Sequence, residues 1–434
     1  GLVKFAIVVL PLSIRTTLED INVTFVTVLY HLIPSDGFGP NLSRLARPVA
    51  VVVQVLLLRS QVRAFGRMSG FLVTACETSY MREVLAEWRP VIDDAIEELL
   101  PRRIDDTYLT DFFGEPTYKY QPAAIQEALA DPIWLLLDRG GKRWRAILFL
   151  MIVEALDEDP EEYLPYACIP EILHNGTIIV DDVEDEAQMR RGGPALHHEH
   201  GTDIALNAGN AMYFIPLKVI EEYRDDLTDS QRLAIYEMLT HELNRTHLGQ
   251  GMDICWHNEK EITVDEQQYY EMCACKTGCL ARIVARLAAI VTDQPDEVER
   301  QLARYAEELS IAFQIGDDIL DIQHTLDQAG EFGKEFGNDI REGKKTLMAI
   351  YTAQEAPADD VARLEEILWA EDNDDEEIME AIEIMRSVGA IEYADTRARE
   401  LSESARSHLD DLELESEPET HLRDFTTFVI DRQQ

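Results

Sequence analysis

An all-α fold is the expectation, and three observations support it. From residue 81 onward apolar residues recur at i, i+3 and i+4 over long stretches. Alternating strand patterns are almost absent. Gly and Pro punctuate the ends of the periodic stretches at Gly140-Gly141, Pro160, Gly192-Gly193-Pro194, Gly201, Pro295, Gly330 and Gly343. In chain order, the segment after Met81 puts Val84, Leu85, Trp88, Val91, Ile92, Ala95, Ile96 and Leu99 on one stripe. Helical periods follow over Ala123–Leu137, Trp144–Leu156, Leu164–Val180, Arg232–Leu248, Glu266–Val291 and Pro295–Leu320. This predicts about ten or more helices, long enough to form a bundle around a deep central cavity. Glu365–Glu377 reads as a solvated acidic linker, and the chain beyond it as further amphipathic acidic helices.

The 434 residues carry a net charge of −44, which argues against non-specific nucleic-acid binding. With 14 Phe, 15 Tyr and 5 Trp, the chain is a folded protein with an acidic surface rather than a disordered one. Such surfaces suit a salt-rich, halophilic setting, where salt screens the self-repulsion. The acidity is not uniform. Residues 1–80 hold 4 acidic and 7 basic residues, a net +3, so residues 81–434 carry −47, more than the whole imbalance. Three readings compete for 1–80: a membrane anchor or signal, a separate small domain, or a gene-model artefact ahead of a true start at Met81. The apolar runs Phe5–Leu12 and Pro48–Leu58 are too short to span a bilayer. The cluster Cys273, Cys275, Cys279 lacks paired zinc spacing, so reduced thiols in a cytoplasmic protein are expected.

Two segments carry the chemistry. Asp181-Asp182-Val183-Glu184-Asp185 and Asp317-Asp318-Ile319-Leu320-Asp321 both read DDxxD. On a helix, positions i and i+4 share a face, so Asp181 pairs with Asp185 and Asp317 with Asp321. Such carboxylates repel one another unless a cation lies between them, and an all-oxygen set suits Mg²⁺. In so acidic a chain one match is weak evidence. Two matches, each following an apolar run (Ile178–Val180 and Ile311–Gly316), are stronger, because carboxylates leaving core helices are costly unless they bind something. The scarce basic residues cluster as well: Lys142-Arg143-Trp144-Arg145, Arg190-Arg191, Lys276-Thr277, and Lys334 with Lys344-Lys345. Lys and Arg are the natural ligands of diphosphates. Together these clusters describe a site for Mg²⁺ and two diphosphates.

From Gly140 to Thr346 the ordered motifs GGKRWR, ILHN…DDVED…RRGGP, GQGMD, YYEMCACKTG, FQIGDDILD and GKEFGNDIREGKKT resemble those of the trans-isoprenyl diphosphate synthase (polyprenyl synthetase) family. Ala205–Phe214 and GQGMDICW look most like the geranylgeranyl branch. The resemblance implies an isoprenoid synthase bundle over 81–434, a homodimer, and transient membrane contact for product release without a transmembrane span. It also implies roles. Asp181, Asp185 and Asp317 would coordinate Mg²⁺ on the allylic diphosphate, supported by Asp182, Asp318 and Asp321. Arg190, Lys276 and Lys334 would hold that diphosphate. Lys142, Arg145, His174 and Arg191, with Arg143 in the same basic group, would hold isopentenyl diphosphate. Thr277 and Gln314 would face the developing cation, and Lys344 would cover the site. Gly176 and Thr177, five and four positions before the first motif, would floor the chain-length pocket, and their small size points to twenty carbons or more. Ala146 and Asn210 depart from the family's Pro and Asp. A class I terpene cyclase would use a single diphosphate and a different second metal motif. A non-catalytic subunit would have lost metal ligands.

Overall fold

The structure is a computed structural model that describes residues 84–327, 337–370 and 373–430. The expectations for 1–80, and the one for Lys334, lie outside the described residues.

The described chain is helical, and its only strands are two residues each. Helix α1 spans 84–99 and buries Ile92 and Ile96, on the stripe the period predicts. Helix α2 is Asp106–Phe113. Helix α3, Asp131–Asp138, is entered through Pro122–Ile125 and a π-turn at Gln126–Ala130. Helix α4 is Trp144–Ala155, and nearly all of it is buried. Helix α5, Leu164–Glu184, follows. A short hairpin, β1 Met189–Arg190 and β2 Gly193–Pro194, then leads to α6, Thr202–Ala211.

Helix α7, Asp229–Asn258, starts from a Thr228–Gln231 capping box. Helix α8, Glu266–Cys273, starts from an Asp265–Gln268 box and passes through a π-turn at Ala274–Gly278 into α9, Cys279–Val291. Helix α10 is Asp296–Asp327. Helices α11 (Leu347–Glu355), α12 (Ala358–Leu368), α13 (Asp375–Ser387), α14 (Ala390–Ser407) and α15 (Ser416–Ile430) complete the order. The acidic stretch Glu365–Glu377 is largely not a linker. It includes the end of α12, where Ile367 and Leu368 are buried, and the first turn of α13. Amphipathic ends had been hidden there under a surface-like charge density.

Two apolar cores hold the bundle. One joins α1, α3, α4, α5 and α9 through residues such as Ile147, Phe149, Leu173 and Ile283. The other joins α8, α10, α11, α12, α13 and α14 through Ile315, Ile319, Leu347, Ile367 and Ile382. Helix α10 runs along α9 and α14, and α7 crosses α9 and the π-turn. Both DDxxD segments therefore sit on helices anchored in solid core, which fixes their backbones.

Candidate active site

Helix α5 buries Ile169, Ile172, Leu173, Gly176 and Ile179 and then delivers its acidic end to a cavity of about 1070 Å³. Asp181 and Asp185 line that cavity, as do Asp318 and Asp321 of α10. Asp317 is half-buried, and its charge reaches Arg145. Asp182 is buried and turned to Arg190, 2.5 Å from its guanidinium.

Two residues without a role in the sequence reading organise the first wall. Gln250 Nε2 donates to Asp181 at 2.8 Å. Lys276 Nζ lies 2.6 Å from Asp253 and 3.1 Å from Asp181. This is possible because Gly249 brings α7 against the backbone of the π-turn, where a Cβ would stand 2.3 Å from Lys276 N. The GQGMD motif was visible, but its partner across the fold was not. On the second wall Gln314 Nε2 donates to Asp318 at 2.9 Å, and the Tyr269 hydroxyl lies 3.3 Å from the same carboxylate. Thr277 Oγ1 lies 3.4 Å from Gln314 Oε1. Lys344 pairs with Asp339 and Glu342 at 2.7 Å, and the Asp339 backbone N–H reaches Asp321 at 3.3 Å. Asp339 and Tyr269, like Gln250 and Asp253, gain meaning only from the tertiary contact.

The carboxylates are under electrostatic pressure. The loss of bulk solvation, followed by the Asp181 and Asp253 charges, pushes Asp185 up to about 7, although its carboxyl opens onto the cavity. Burial and Asp339 push Asp321 up to about 6. Burial, then Asp339, raises Asp318. Burial works against the Lys276 ammonium, but Asp181 and Asp253 outweigh it and the net shift is upward. Lys344 acts on Asp185, Asp318 and Asp321 alike, so the two walls share one field. An all-oxygen set driven toward protonation fits a hard divalent cation. Among the described residues no three acidic, His or Cys side chains form a ready-made cluster, so such a cation would draw its remaining ligands from phosphate and water.

Beside the carboxylates lies a cationic nest. Arg190 and Arg191 line the cavity. Arg145 is buried, its guanidinium 4.3 Å from the Trp144 ring, and its Nε has no protein partner. Burial lowers its pKa to about 10. His174 is held well below its usual value by burial and then by Arg145, Arg191, Arg190 and Arg143, and its Nδ1 has no protein partner. Four guanidinium charges and two such nitrogens make an arrangement able to accept an anion. Lys142 is exposed and does not line the cavity. Arg143 is placed differently from the expectation: it is 1% exposed, lies 2.7 Å from Asp93 and 3.6 Å from Glu171, and so braces the nest from behind. Trp144 stacks on Phe313, centroids 5.4 Å apart, which ties this side to α10.

Thr177 lines a second, apolar cavity of about 270 Å³ with Tyr213, Leu217, Leu239, Leu243 and His247. Gly176 does not line it. A Cβ there would meet Met212 at 2.7 Å and the Gly209 carbonyl at 2.9 Å, so its smallness serves the crossing of α5 and α6. Ala146 is buried in α4, and Asn210 is exposed on α6; neither lines either cavity. The five described cysteines are free thiols.

A helical bundle that presents two carboxylate segments and an arginine nest to one cavity defines a class of diphosphate-handling enzyme. The profile of the family described as Polyprenyl synthetase matches residues 126–385. Geranylgeranyl pyrophosphate synthase of Geoglobus acetivorans is 31% identical over 351 residues, covering 81% of this chain and 98% of that protein. Geranylfarnesyl diphosphate synthase of Natronomonas pharaonis is 29% identical over 371 residues, covering 81% of this chain and 98% of the relative. The crystal structure of geranylgeranyl pyrophosphate synthetase from Pyrococcus horikoshii OT3 superposes with a TM-score of 0.70 at 26% identity, covering 82% of this chain and all of the other. The chain belongs to the polyprenyl synthetase family and is a trans-prenyltransferase.

Proposed function

We propose that the protein joins isopentenyl diphosphate to geranyl or farnesyl diphosphate to give geranylgeranyl diphosphate, with release of pyrophosphate and with Mg²⁺ as its metal. The observation that carries this reading is a single cavity bordered by two carboxylate walls and by Arg190 and Arg191, with the unpartnered nitrogens of Arg145 and His174 in the same basic group. Asp181, Asp185, Asp317 and Asp321 are the residues that would hold Mg²⁺, with Asp318 in support and Asp182 acting through Arg190. Bound Mg²⁺ supplies Lewis-acid neutralisation of charge on the departing diphosphate.

Lys276, Arg190 and Lys344, with Lys334 from outside the described residues, stabilise the charge on that leaving group. Arg145, Arg191, Lys142 and His174 hold isopentenyl diphosphate so that its double bond faces the ionising carbon. Thr277 and Gln314, whose side-chain oxygens lie 3.4 Å apart in the cavity lining, would face the developing cation. The bundle excludes water that would trap the cation. The proton lost on coupling passes to the released pyrophosphate. Thr177 and its apolar cavity receive the growing chain.

We also propose a cytoplasmic homodimer, supported by the free thiols and by the outer face of α7, where Leu233, Tyr236 and Leu248 are exposed. Sedimentation at micromolar concentration tests it, and a monomer would refute it. None of the described helices is long and apolar enough to cross a membrane, so contact with lipid would be peripheral. The acidic surface predicts salt-dependent stability, to be read as a melting temperature that rises with salt.

The decisive test is a product assay with labelled isopentenyl diphosphate, farnesyl diphosphate and Mg²⁺ at high salt. A twenty-carbon alcohol after dephosphorylation supports the reading. A twenty-five-carbon product would move it to geranylfarnesyl diphosphate, a reading favoured by the small Thr177 side chain. No condensation would sink it. The change Thr177→Phe, which fills the apolar cavity, should shorten the product by one five-carbon unit.

A further inference from the structure

Two loops that carry basic residues have irregular backbones. Gly140, Gly141 and Arg143 have φ of 95°, 145° and 53°, and Arg191 and Gly192 have 51° and 73°. No ladder of backbone hydrogen bonds joins one loop to the other, yet Lys142 and Arg145, at the end of the first loop and the start of α4, and Arg191 on the second are assigned to one anion. Two crossed arginines do the joining. Arg191, on the hairpin, donates from Nη1 to the Gly140 carbonyl at 2.5 Å. Arg139, which caps α3 just before Gly140, reaches the other way. Its Nη1 donates to the Pro194 carbonyl at 2.5 Å and approaches the Arg190 carbonyl at 3.4 Å. Its Nη2 pairs with Glu199 at 2.5 Å, and the side chain is only 12% exposed. Gly193 makes the room, since a Cβ there would lie 2.6 Å from Arg139 Cζ.

We infer that Arg139 is a positioning residue for the isopentenyl diphosphate site. Its guanidinium clasps the hairpin to the Gly140 loop and so presets the nest around Arg145, Arg191 and His174. Arg139 does not line the catalytic cavity, and its Nη atoms face two carbonyls and a carboxylate, so it acts through its neighbours. A planar fork suits this task and a point charge does not. The inference rests on assigning the nest to isopentenyl diphosphate.

The test is a double-mutant cycle on the full chain. Arg139→Ala and, separately, Gly193→Ala, whose added Cβ displaces the guanidinium, should each raise KM for isopentenyl diphosphate and its calorimetric Kd about tenfold. In both, kcat and KM for farnesyl diphosphate should stay within about twofold. Arg139→Lys should restore little. The double variant should be no weaker than either single one, since each change breaks the same clasp. Unchanged affinity in both single variants, additive losses in the double, or an equal fall in kcat with unchanged KM would overturn the inference. A wild-type enzyme that neither binds nor condenses isopentenyl diphosphate would instead overturn the assignment of the site, so the two failures are distinguishable.

Discussion

The carboxylate walls and the arginine nest border the same cavity but are built in opposite ways. The carboxylates emerge from the ends of two core helices, partly open to the cavity, and are balanced by lysines that each bridge two carboxylates: Lys276 between Asp181 and Asp253, and Lys344 between Asp339 and Glu342. The nest is drawn from two irregular loops and from the helices α4 and α5, with Arg143 and Arg145 buried. Its charges are locked by carbonyls and struts, with Arg143 on Asp93, Arg191 on Gly140 and Arg139 on the hairpin. A metal-binding wall needs rigid backbone and side chains that can exchange partners. A wall for a fixed diphosphate needs its guanidiniums preset, because ordering long side chains at the moment of binding costs about 0.5–1.5 kcal/mol each.

Variants can break this contrast, and the largest effect should come from the acidic side. Asp181→Ala should lower kcat by about 10³-fold or more, with little change in Kd for isopentenyl diphosphate, because it removes a group that acts on the charge developing at the leaving diphosphate. A comparable loss of isopentenyl diphosphate affinity would show that the two sites are not separate. Next comes Arg145→Met. Removing one member of a buried charged contact costs about 2–5 kcal/mol, so KM for isopentenyl diphosphate should rise about 30-fold or more while Mg²⁺ dependence stays the same.

Gly249→Ala is a smaller, structural break. Its Cβ overlaps the backbone at Lys276, and overpacking of this kind costs about 1–3 kcal/mol. Thermal or urea unfolding should show that loss, and kcat should fall because Lys276 is displaced. Unchanged stability and rate would mean that α7 and the π-turn do not touch as described.

The smallest effect sharpens the comparison. His174 should stay neutral from pH 6 to 8, since burial and then four arginines disfavour its imidazolium. A depressed histidine pKa means that the unfolded chain binds the extra proton first, so this group should reduce stability as pH falls below about 6.5. The ring's NMR shifts should not titrate across that range in the substrate-free protein. A midpoint near 6.5 would show that the arginines do not converge on it.

The sequence by itself determined the helical architecture, because burial at a 3.6-residue period is a local pattern and both DDxxD segments express it over consecutive turns. It also determined which residue types reach the cavity, because carboxylates at the ends of core helices and clustered cations in an acidic chain need partners. Tertiary structure alone decided the pairings. Lys276 meets Asp253 and Asp181 because Gly249 lets α7 close on a π-turn. Arg143, adjacent in sequence to Lys142, turns inward because its left-handed backbone at φ 53° redirects it toward Asp93 and Glu171. Gly176 packs helices while neighbouring Thr177 lines a cavity, because successive helical positions point about 100° apart. Arg139 looks like any surface arginine until the hairpin more than 50 residues away folds over it. Spacing along one helix is fixed by backbone geometry, whereas the partner of a long side chain is fixed only when separate elements pack.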